Sequence, residues 1–588
     1  MHTTDSKDPS ARYCIGLLVP PSEKKPKNTK SQRPTTMSQT VLTAPPPSQP
    51  TYRNPHFFLS SVFSLLSVVH IFFAVAIAIC IAIAQYPLQA TQPLRSSSSP
   101  SKIKALYSSL DDRSLSQLLA FHQLYGSSPQ GTQALARAAD LLGTDAEALS
   151  RALPTTDAVT SLVSMLSGES RSDADLTPAL VALIDTAGSN LGNRRLVGHS
   201  SITEQEVLAL PSEQLDIARA LLLSQYGAEK MDSVLAYEAV IDLMALQIRA
   251  YLPTNAEARH KIDAINRFIF DEMWFRFPPH SVYAQDIDTY TFLPSVIDSR
   301  RGVCLGVSML YLCLSQRLDL PLEIITPPGH IYLRYRDDFE TINIETTARG
   351  INLPSELYLG IDTRSLQQRD LKESIGLTYI NQASVYWQRE EFEHAVACYE
   401  RAKPYMPEDM LLKELLGYNL LFVERESEGA ALLREVRHHL PEYQVSRHTM
   451  ADDYLAGRVD AEGIQAIFMH TDETSKSIEE KRERILAVLE HYPHFRAGWF
   501  HLAITWLQQQ RSKEALQALT RTWREGEQTA TTAYYLSALR IQRYDFLGAW
   551  EAFTDTERLV SARDHNPKAL RQLRQQIQSL CPRPQHSR

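Results

Sequence analysis

The chain has 588 residues, of which 44% are hydrophobic and 22% charged, with a formal net charge of −8 and a pI near 6.2. One domain usually takes roughly 100–200 residues, so this composition predicts a globular protein of several domains. The slight acidity argues against a nucleic-acid partner, which usually requires a strongly basic surface. The six scattered cysteines show no disulfide framework and no zinc-type spacing, and nothing in the sequence requires a metal or an organic cofactor.

The N-terminal part changes character abruptly near residue 55. Residues 1–54 are rich in Pro, Ser, Thr and Lys, which predicts a disordered tail. Residues 57–84 contain no Asp, Glu, Lys or Arg and exceed the ~20 apolar residues that span a bilayer, so we expect a transmembrane anchor within 55–86. The basic residues before it predict a single-pass membrane protein with a cytoplasmic N-terminus. The alternative is a secreted or periplasmic protein, cleaved near Ala84.

Three segments follow before the most informative stretch. Residues 87–101 are a Pro/Ser linker, and residues 102–252 show helical patterns rich in Ala, Leu and Gln that end in glycines. We interpret this helical region as structural. Residues 256–274 predict an amphipathic helix, because Ile262, Ile265 and Ile269 share one face.

A predicted buried helix at 304–317 carries the first candidate for chemistry. Its sequence, CLGVSMLYLCLSQR, is apolar nearly all round. Cys304 lies in the first turn, where free backbone N–H groups and the helix dipole stabilise a thiolate. Cys313 lies in the middle of the helix, which indicates a core residue.

Short strands after this helix carry the other candidates. In the third strand Ile342 and Ile344 point one way, while Asn343 and Glu345 point the other. His330 lies at the start of the second strand, and its side chain is expected to point away from the apolar layer. A base for Cys304 is expected at this position. Glu345 is placed to orient His330 by accepting its second ring N–H, and Asn343 is the alternative. The predicted strands cover 322–326, 330–336 and 342–345.

The stretch RGVCLGVSMLYLCLSQRLDLPLEIITPPGHIYLRY resembles the transglutaminase-like superfamily, whose Cys, His and Asp occur in this order. With INRFIFDEMWFRF and TFLPSVIDSRRGVCLGVSMLYL before it, the chain resembles the SirB family, bacterial transglutaminase-like proteins with tetratricopeptide repeats. The resemblance implies an α+β, papain-like core over 253–365, with Cys304 as nucleophile, His330 as base and Glu345 as the acidic third member. Two departures matter: Glu stands where Asp is usual, and many members of the narrower family lack the cysteine.

Behind this domain the sequence repeats itself with a period of 34 from about residue 376. Small and aromatic residues recur at matching positions, which predicts an all-α tetratricopeptide solenoid over 370–560, helical but degenerate between 442 and 495. A C-terminal helix and tail, 561–588, complete the chain. Stacked helix pairs form a curved surface that binds peptides or protein segments, and a purely structural cap is the alternative. The positions of the first two units are Ala383, Tyr386, Phe392, Ala395, Tyr399, Ala402 and Pro407, then Leu416, Gly417, Leu420, Gly429, Leu433 and Pro441.

Two functions fit these features. The first is a membrane-anchored cysteine hydrolase or acyltransferase with a Cys-His-Glu triad, which acts on peptide or protein amides while the repeats recruit a protein partner. The second is a catalytically inactive scaffold for protein–protein interaction. The intact trio favours the first function, and the large repeat content favours the second.

Overall fold

The computed structural model describes residues 99–153, 155–167, 176–278, 290–472 and 474–582. The predicted tail 1–54, the predicted membrane segment 57–84 and most of the linker 87–101 lie outside these residues. Across the described ranges, no helix is long and apolar enough to cross a membrane. The described residues from Lys104 onward form one compact unit.

The region 102–252 is helical across its described part, and its helices begin where side chains can cap them. Ser128 and Thr177 each accept a hydrogen bond from a first-turn backbone N–H, and each is followed by a proline in that turn. Gly143 ends one helix in the left-handed conformation, with a φ of 70°, that glycine adopts without strain. The helices are α1 (Pro100–Ser108), α2 (Leu115–Tyr125), α3 (Pro129–Leu142), α4 (Ala146–Ala152), α5 (Thr156–Leu166), α6 (Pro178–Ala187), α7 (Glu204–Ala209), α8 (Ile217–Tyr226) and α9 (Met231–Tyr251).

The predicted helix at 256–274 is shorter than expected. Regular α-helix ends at Asn266, and the chain continues as a wider π-helix over Arg267–Glu272. Trp274 then takes a left-handed conformation, with a φ of 57°, and Arg276 pairs with Arg301, just before the buried helix. The helices of this part are α10 (Ala258–Asn266), α11 (Leu293–Ser299) and α12 (Cys304–Arg317).

Helix α12 is the centre of the domain, and its prediction is confirmed in both bounds and burial. It packs against α8, α9 and the sheet. Buried ion pairs fix its C-terminal end, since Arg317 lies 2.5 Å from Asp242 of α9 and 3.8 Å from Asp216 at the start of α8. Because an unpaired buried charge is costly, these contacts determine the position of α12 along its own axis.

The sheet has four antiparallel strands in the order β3-β2-β1-β4. The three predicted strands are present. The third ends at Ile344 and the second begins at Tyr332, so Glu345 and His330 lie just outside them. The fourth strand was not predicted. The strands are β1 (Glu323–Thr326), β2 (Tyr332–Arg336), β3 (Thr341–Ile344) and β4 (Gln367–Arg369).

Helix hairpins follow the sheet. The second helices of paired hairpins begin at Phe392 and Glu426, and later at Ser512 and Phe546, 34 residues apart in both cases. A Cβ on Gly429 would lie 2.7 Å from the carbonyl oxygen of Gly417, so these glycines let two helices approach closely. The helices are α13 (Leu371–Gln388), α14 (Phe392–Ala402), α15 (Met410–Phe422), α16 (Glu426–Val436), α17 (Met450–Leu455), α18 (Ala461–Phe468), α19 (Ser475–His491), α20 (Arg496–Gln508), α21 (Ser512–Arg524), α22 (Ala530–Gln542), α23 (Phe546–Ser561) and α24 (Lys568–Leu580).

The segment predicted to be helical from 442 to 495 differs from that expectation at its start. No helix forms between Val436 and Met450. Instead Gln444 pairs with Thr363, and the backbone N–H of Val445 donates to the carbonyl of Asp362. These backbone groups find partners in the segment that leads out of the sheet domain, which removes the need for a helix here.

Candidate thiol active site

Cys304 is the first residue of α12, as predicted. Its neighbour Val303 is extended and offers no side-chain hydrogen bond to the first turn. The N–H groups of that turn point out of the helix end and can hydrogen-bond a negatively charged atom. Cys304 is buried, with 1% of its surface exposed.

The sulfur of Cys304 is disulfide-bonded. Cys313, Cys398 and Cys581 are free. A disulfide sulfur cannot act as a nucleophile toward an amide. Any catalysis by Cys304 therefore requires its reduced thiol.

His330 and Glu345 form a hydrogen-bonded pair, with 2.7 Å between Nε2 of the histidine and Oε2 of the carboxylate. Both side chains are buried. His330 lies in the loop before β2, and Glu345 follows directly after β3, so strands β2 and β3 hold the two side chains together. This is the pairing that strand alternation predicted.

The carboxylate of Glu345 accepts three further hydrogen bonds. The backbone N–H and the hydroxyl of Thr347 donate to Oε1, at 3.3 and 2.7 Å. The phenol of Tyr358 donates to Oε2 at 2.5 Å. Burial by itself raises the pKa of Glu345, but the hydrogen bond and charge of His330, with the donors Thr347 and Tyr358, lower it below its usual value. Glu345 is therefore held as an anion beside the histidine.

The other nitrogen of His330, Nδ1, is buried and has no hydrogen-bond partner among the described residues. A buried polar atom without a partner costs free energy, so its presence calls for an explanation. Thr346, next to Glu345, donates through its hydroxyl to the backbone carbonyl of Cys304 at 3.4 Å and lies 3.0 Å from the hydroxyl of Ser308. The start of α12 and the His330–Glu345 pair therefore belong to one site.

Asn343, the alternative partner of His330, is used elsewhere. Its side-chain oxygen accepts from Arg334 at 3.0 Å, and its amide donates to the carbonyl of Leu353 and the hydroxyl of Ser355. The geometry therefore gives the orienting position to Glu345.

Tyr358 and Thr347 are the site residues that sequence reasoning missed. Thr347 lies two residues after Glu345, within reach of a local hydrogen bond, so a search for Glu-x-Thr turns could have found it. Tyr358 comes from a separate turn, Ser355–Tyr358, and its ring stacks on His330 with centroids 5.7 Å apart. No pattern in the local sequence predicts this contact.

Two other described cysteines, Cys313 and Cys398, lack the features of a reactive thiol. Cys313 is fully buried on α12, and burial raises the pKa of its thiol far above the usual range. Burial also raises the pKa of Cys398, to about 11, so this thiol stays protonated near neutral pH. The burial of Cys313 agrees with its interpretation as a core residue.

One cluster outside the thiol site has the residue types of a metal centre. Ligand atoms of His199, Asp216 and Glu238 lie within 4.8 Å of one another. Guanidinium groups already occupy these carboxylates: Arg219 binds both oxygens of Glu238 at 2.7 and 2.6 Å, and Arg317 approaches Asp216. The cluster is therefore an ion-pair network that joins α8, α9 and α12, and its cations oppose the binding of a metal ion.

Comparison with known proteins supports the presence of a transglutaminase-like domain. A family model described as the transglutaminase-like superfamily matches residues 235–381, which include Cys304, His330, Glu345 and Tyr358. Mouse (Mus musculus) F-box only protein 21 is 28% identical over 104 residues. The match spans 16% of this chain and 16% of the length of that protein.

Solved structures of helical repeat proteins also match. Yeast Tom70 is 11% identical over 83% of this chain and 90% of its own, with a TM-score of 0.21. A thermophilic TPR protein of Thermus thermophilus is 12% identical over 35% of this chain and 97% of its own, with a TM-score of 0.18. These TM-scores are too low to establish a shared overall fold. The hairpins and their 34-residue spacing are what identify the second half as a tetratricopeptide-like solenoid, which follows a transglutaminase-like domain.

Proposed function

We propose that this protein is a transglutaminase-like cysteine hydrolase or acyltransferase that acts on peptide or protein amides, and that its repeats recruit a protein partner. The observation that carries this proposal is the hydrogen bond between His330 and Glu345, beside a helix that begins with Cys304. An imidazole oriented by a buried anion is what a thiol nucleophile needs as its base.

In the proposed reaction His330 takes the proton from the reduced thiol of Cys304. The sulfur then attacks the amide carbonyl, and first-turn N–H groups of α12 stabilise the negative oxygen. The C–N bond breaks as His330 returns its proton to the leaving amine, which leaves a thioester on Cys304. Water completes a hydrolysis, and a second amine completes an acyl transfer. Glu345 holds His330 and stabilises its charged form throughout.

The test compares two cysteines of one helix by alkylation with iodoacetamide in the presence of a reductant. Cys304 and Cys313 are equally inaccessible, with 1% and 0% of their surfaces exposed, so Cys313 is a control matched for burial. We expect Cys304 to react at least about tenfold faster near pH 7, because of these two cysteines only Cys304 lies at the helix start, and the proposal assigns it His330 as its base. Mass spectrometry of the tryptic peptides gives both rates from one sample.

Equal rates for Cys304 and Cys313 would contradict the enzymatic proposal. A His330→Ala variant adds a second control, since it should lower the rate of Cys304 and leave that of Cys313 unchanged. If Cys304 is fast in both proteins, the helix end alone activates the thiol and the role of His330 is wrong.

A scaffold without catalysis is the second candidate function. The helix hairpins of α13–α23 favour it, because they make up much of the described chain and offer a broad surface. Binding of a partner by the Cys304→Ala variant separates the two functions. If the protein is an enzyme, Cys304→Ala lacks the amide turnover of the wild type and still binds the partner. If the protein is a scaffold, neither the wild type nor Cys304→Ala shows amide turnover.

Two finer assignments belong to this proposal. The order and spacing of the motifs support membership of the SirB family of bacterial proteins. The charge-free segment 57–84 supports attachment to a membrane, with cleavage near Ala84 and a secreted or periplasmic protein as the alternative.

A further inference from the structure

The turn that carries Tyr358 continues into a segment attached to the end of the repeat array. We define residues 355–364 as the strap. Its first part lies on the sheet domain, where the hydroxyl of Ser355 accepts a hydrogen bond from Arg334 at 2.9 Å. Its last part lies on the repeats. The strap is thus a short connection between the thiol site and the C-terminal helices.

At the site end, Tyr358 contacts both members of the buried pair. Its phenol donates to Oε2 of Glu345, the oxygen that also accepts from His330. Its ring stacks on His330 and on Tyr332, with centroids 5.7 and 5.1 Å apart. Burial and the nearby carboxylate raise the pKa of Tyr358, so the phenol remains protonated, and a donor to Glu345, near neutral pH. The backbone of Cys304, at the start of α12, is linked to the residue after Glu345 by the hydrogen bond from the hydroxyl of Thr346.

At the repeat end, His565 donates through Nε2 to the carbonyl of Gly360 at 2.7 Å. Ile361 is buried in a hydrophobic cluster with residues of α22, α23 and α24, including Trp550 and Phe553. The backbone N–H of Arg364 donates to the carbonyl of Tyr443 at 2.9 Å. The strap therefore has a side-chain anchor, a hydrophobic anchor and a backbone anchor on the repeats.

The distance along the chain between the two ends is short. Only Leu359 and Gly360 separate Tyr358 from Ile361, and Leu359 is extended, with φ −84° and ψ 110°. Since each residue spans at most ~3.6 Å, two residues offer little slack. A displacement of α22–α24 must therefore either move Tyr358 or break one of the contacts that the strap makes.

We propose that the strap couples the C-terminal repeats to the thiol site, and that Tyr358 is a positioning residue that holds Glu345 against His330. The proposal rests on the proposed function for its chemical consequence, while the mechanical coupling stands by itself. A partner that shifts α22–α24 would then change the reactivity of Cys304 without any contact with it.

The first arm of the test measures the coupling by hydrogen exchange of the full-length protein. The backbone N–H of Leu359 donates to the carbonyl of Glu356, and that of Leu357 donates to the carbonyl of Pro354 just before the strap, so peptides that cover 355–359 report on its order. We expect His565→Ala to speed their exchange by about tenfold. His565→Gln, whose amide can donate in place of the ring, should restore slow exchange. The exposed His494 provides the control, His494→Ala.

The second arm measures the chemistry by the pH profile of Cys304 alkylation in reductant. Tyr358→Phe removes a donor that lowers the pKa of Glu345, so Glu345 should protonate at higher pH and release His330. We expect the acidic limb of the profile to move upward by about one pH unit, a roughly tenfold lower rate at fixed pH on that limb. The control is Tyr335→Phe, which removes a similar phenol–carboxylate hydrogen bond, to Asp337, outside the site.

The two arms fail separately. Wild-type exchange of 355–359 in His565→Ala would overturn the coupling, whatever the thiol does. An unchanged profile in Tyr358→Phe would overturn the positioning role of Tyr358, provided that wild-type Cys304 is reactive. If wild-type Cys304 is no faster than Cys313, the proposed function fails, and with it the positioning role, while the exchange arm still decides the coupling.

Discussion

At the scale of single residues, the charge of Glu345 is the feature that can be changed with least disturbance of shape. Glu345→Gln keeps an oxygen that can accept from His330, but it removes the anion that stabilises the imidazolium. We expect a fall of roughly 100-fold in the rate of Cys304 alkylation near pH 7, or in amide turnover once a substrate is known. The matched control is Glu340→Gln, on the exposed hairpin between β2 and β3, which should leave the rate unchanged.

This substitution also has a predictable pH signature. Because the folded protein lowers the pKa of Glu345, the anion stabilises the fold above the pKa of the unfolded chain, about 4.3, and this contribution is lost as the pH falls through the folded value. Glu345→Gln should therefore flatten the loss of stability below pH 5. A variant that loses stability in acid as steeply as the wild type would show that Glu345 is not held as an anion.

The position of His330 and Glu345 was predictable from the sequence, whereas that of Tyr358 was not. Alternation along a strand is a local rule, and it correctly placed Glu345 on the side of His330. Tyr358 comes from a turn thirteen residues after Glu345, and no local rule relates that turn to the sheet. Its contact depends on the strap, and the strap depends on helices that lie some two hundred residues further along the chain.

At the scale of secondary-structure elements, the start of α12 tests how precisely Cys304 must be held. A Cβ added to Gly306 would lie 2.4 Å from the carbonyl oxygen of Tyr290 and 2.8 Å from Cγ2 of Val296. In an exposed helix the change of Gly to Ala stabilises by about 1 kcal/mol. Overpacking against a backbone oxygen costs about 1–3 kcal/mol, so we expect a net loss of stability on the order of 1–2 kcal/mol.

The measurement for Gly306→Ala is the free energy of unfolding in urea, followed together with the alkylation rate of Cys304. Gly360→Ala is the control for the free energy of unfolding alone, because nothing lies within 4 Å of its added methyl group and its φ is not in the left-handed range. A Gly306→Ala protein as stable as the wild type would show that α11 can move away from α12, and that the close approach does not fix Cys304.

Elements differ in how far the sequence predicts them, and the reason is the range of the contacts that form them. Helix α12 has an apolar side chain at nearly every turn, so its burial follows from its own sequence. Strand β4, of sequence QQR, has no apolar residue and forms only because the edge of β1 needs partners for its backbone. The π-helix after Asn266 likewise has no signature in the amphipathic pattern that continues through it.

At the scale of the whole molecule, the strap and the segment before α17 meet in a cluster of buried titratable groups. His448 lies 3.1 Å from Glu414 of α15, and Asp362 of the strap and Glu527 before α22 also face it. Burial raises the pKa of Asp362 to about 6. The junction between the strap and the repeats therefore changes its charge between acidic and alkaline pH.

This cluster predicts a loss of stability on the alkaline side. Although burial opposes the charge of His448, the carboxylate of Glu414 raises the pKa of His448 to about 9, so protonated His448 stabilises the fold fully below pH 6.5 and that contribution is lost as the pH rises through 9. The side chain is 34% exposed, so we expect a modest effect. As the pH rises from 6.5 to 9, the midpoint of thermal unfolding of the wild type should decrease. The midpoint of His448→Gln should decrease less, whereas that of exposed His438→Gln should decrease as much as in the wild type. Parallel falls in all three proteins would mean that His448 is not charged at this junction, and that the junction does not depend on its ion pair.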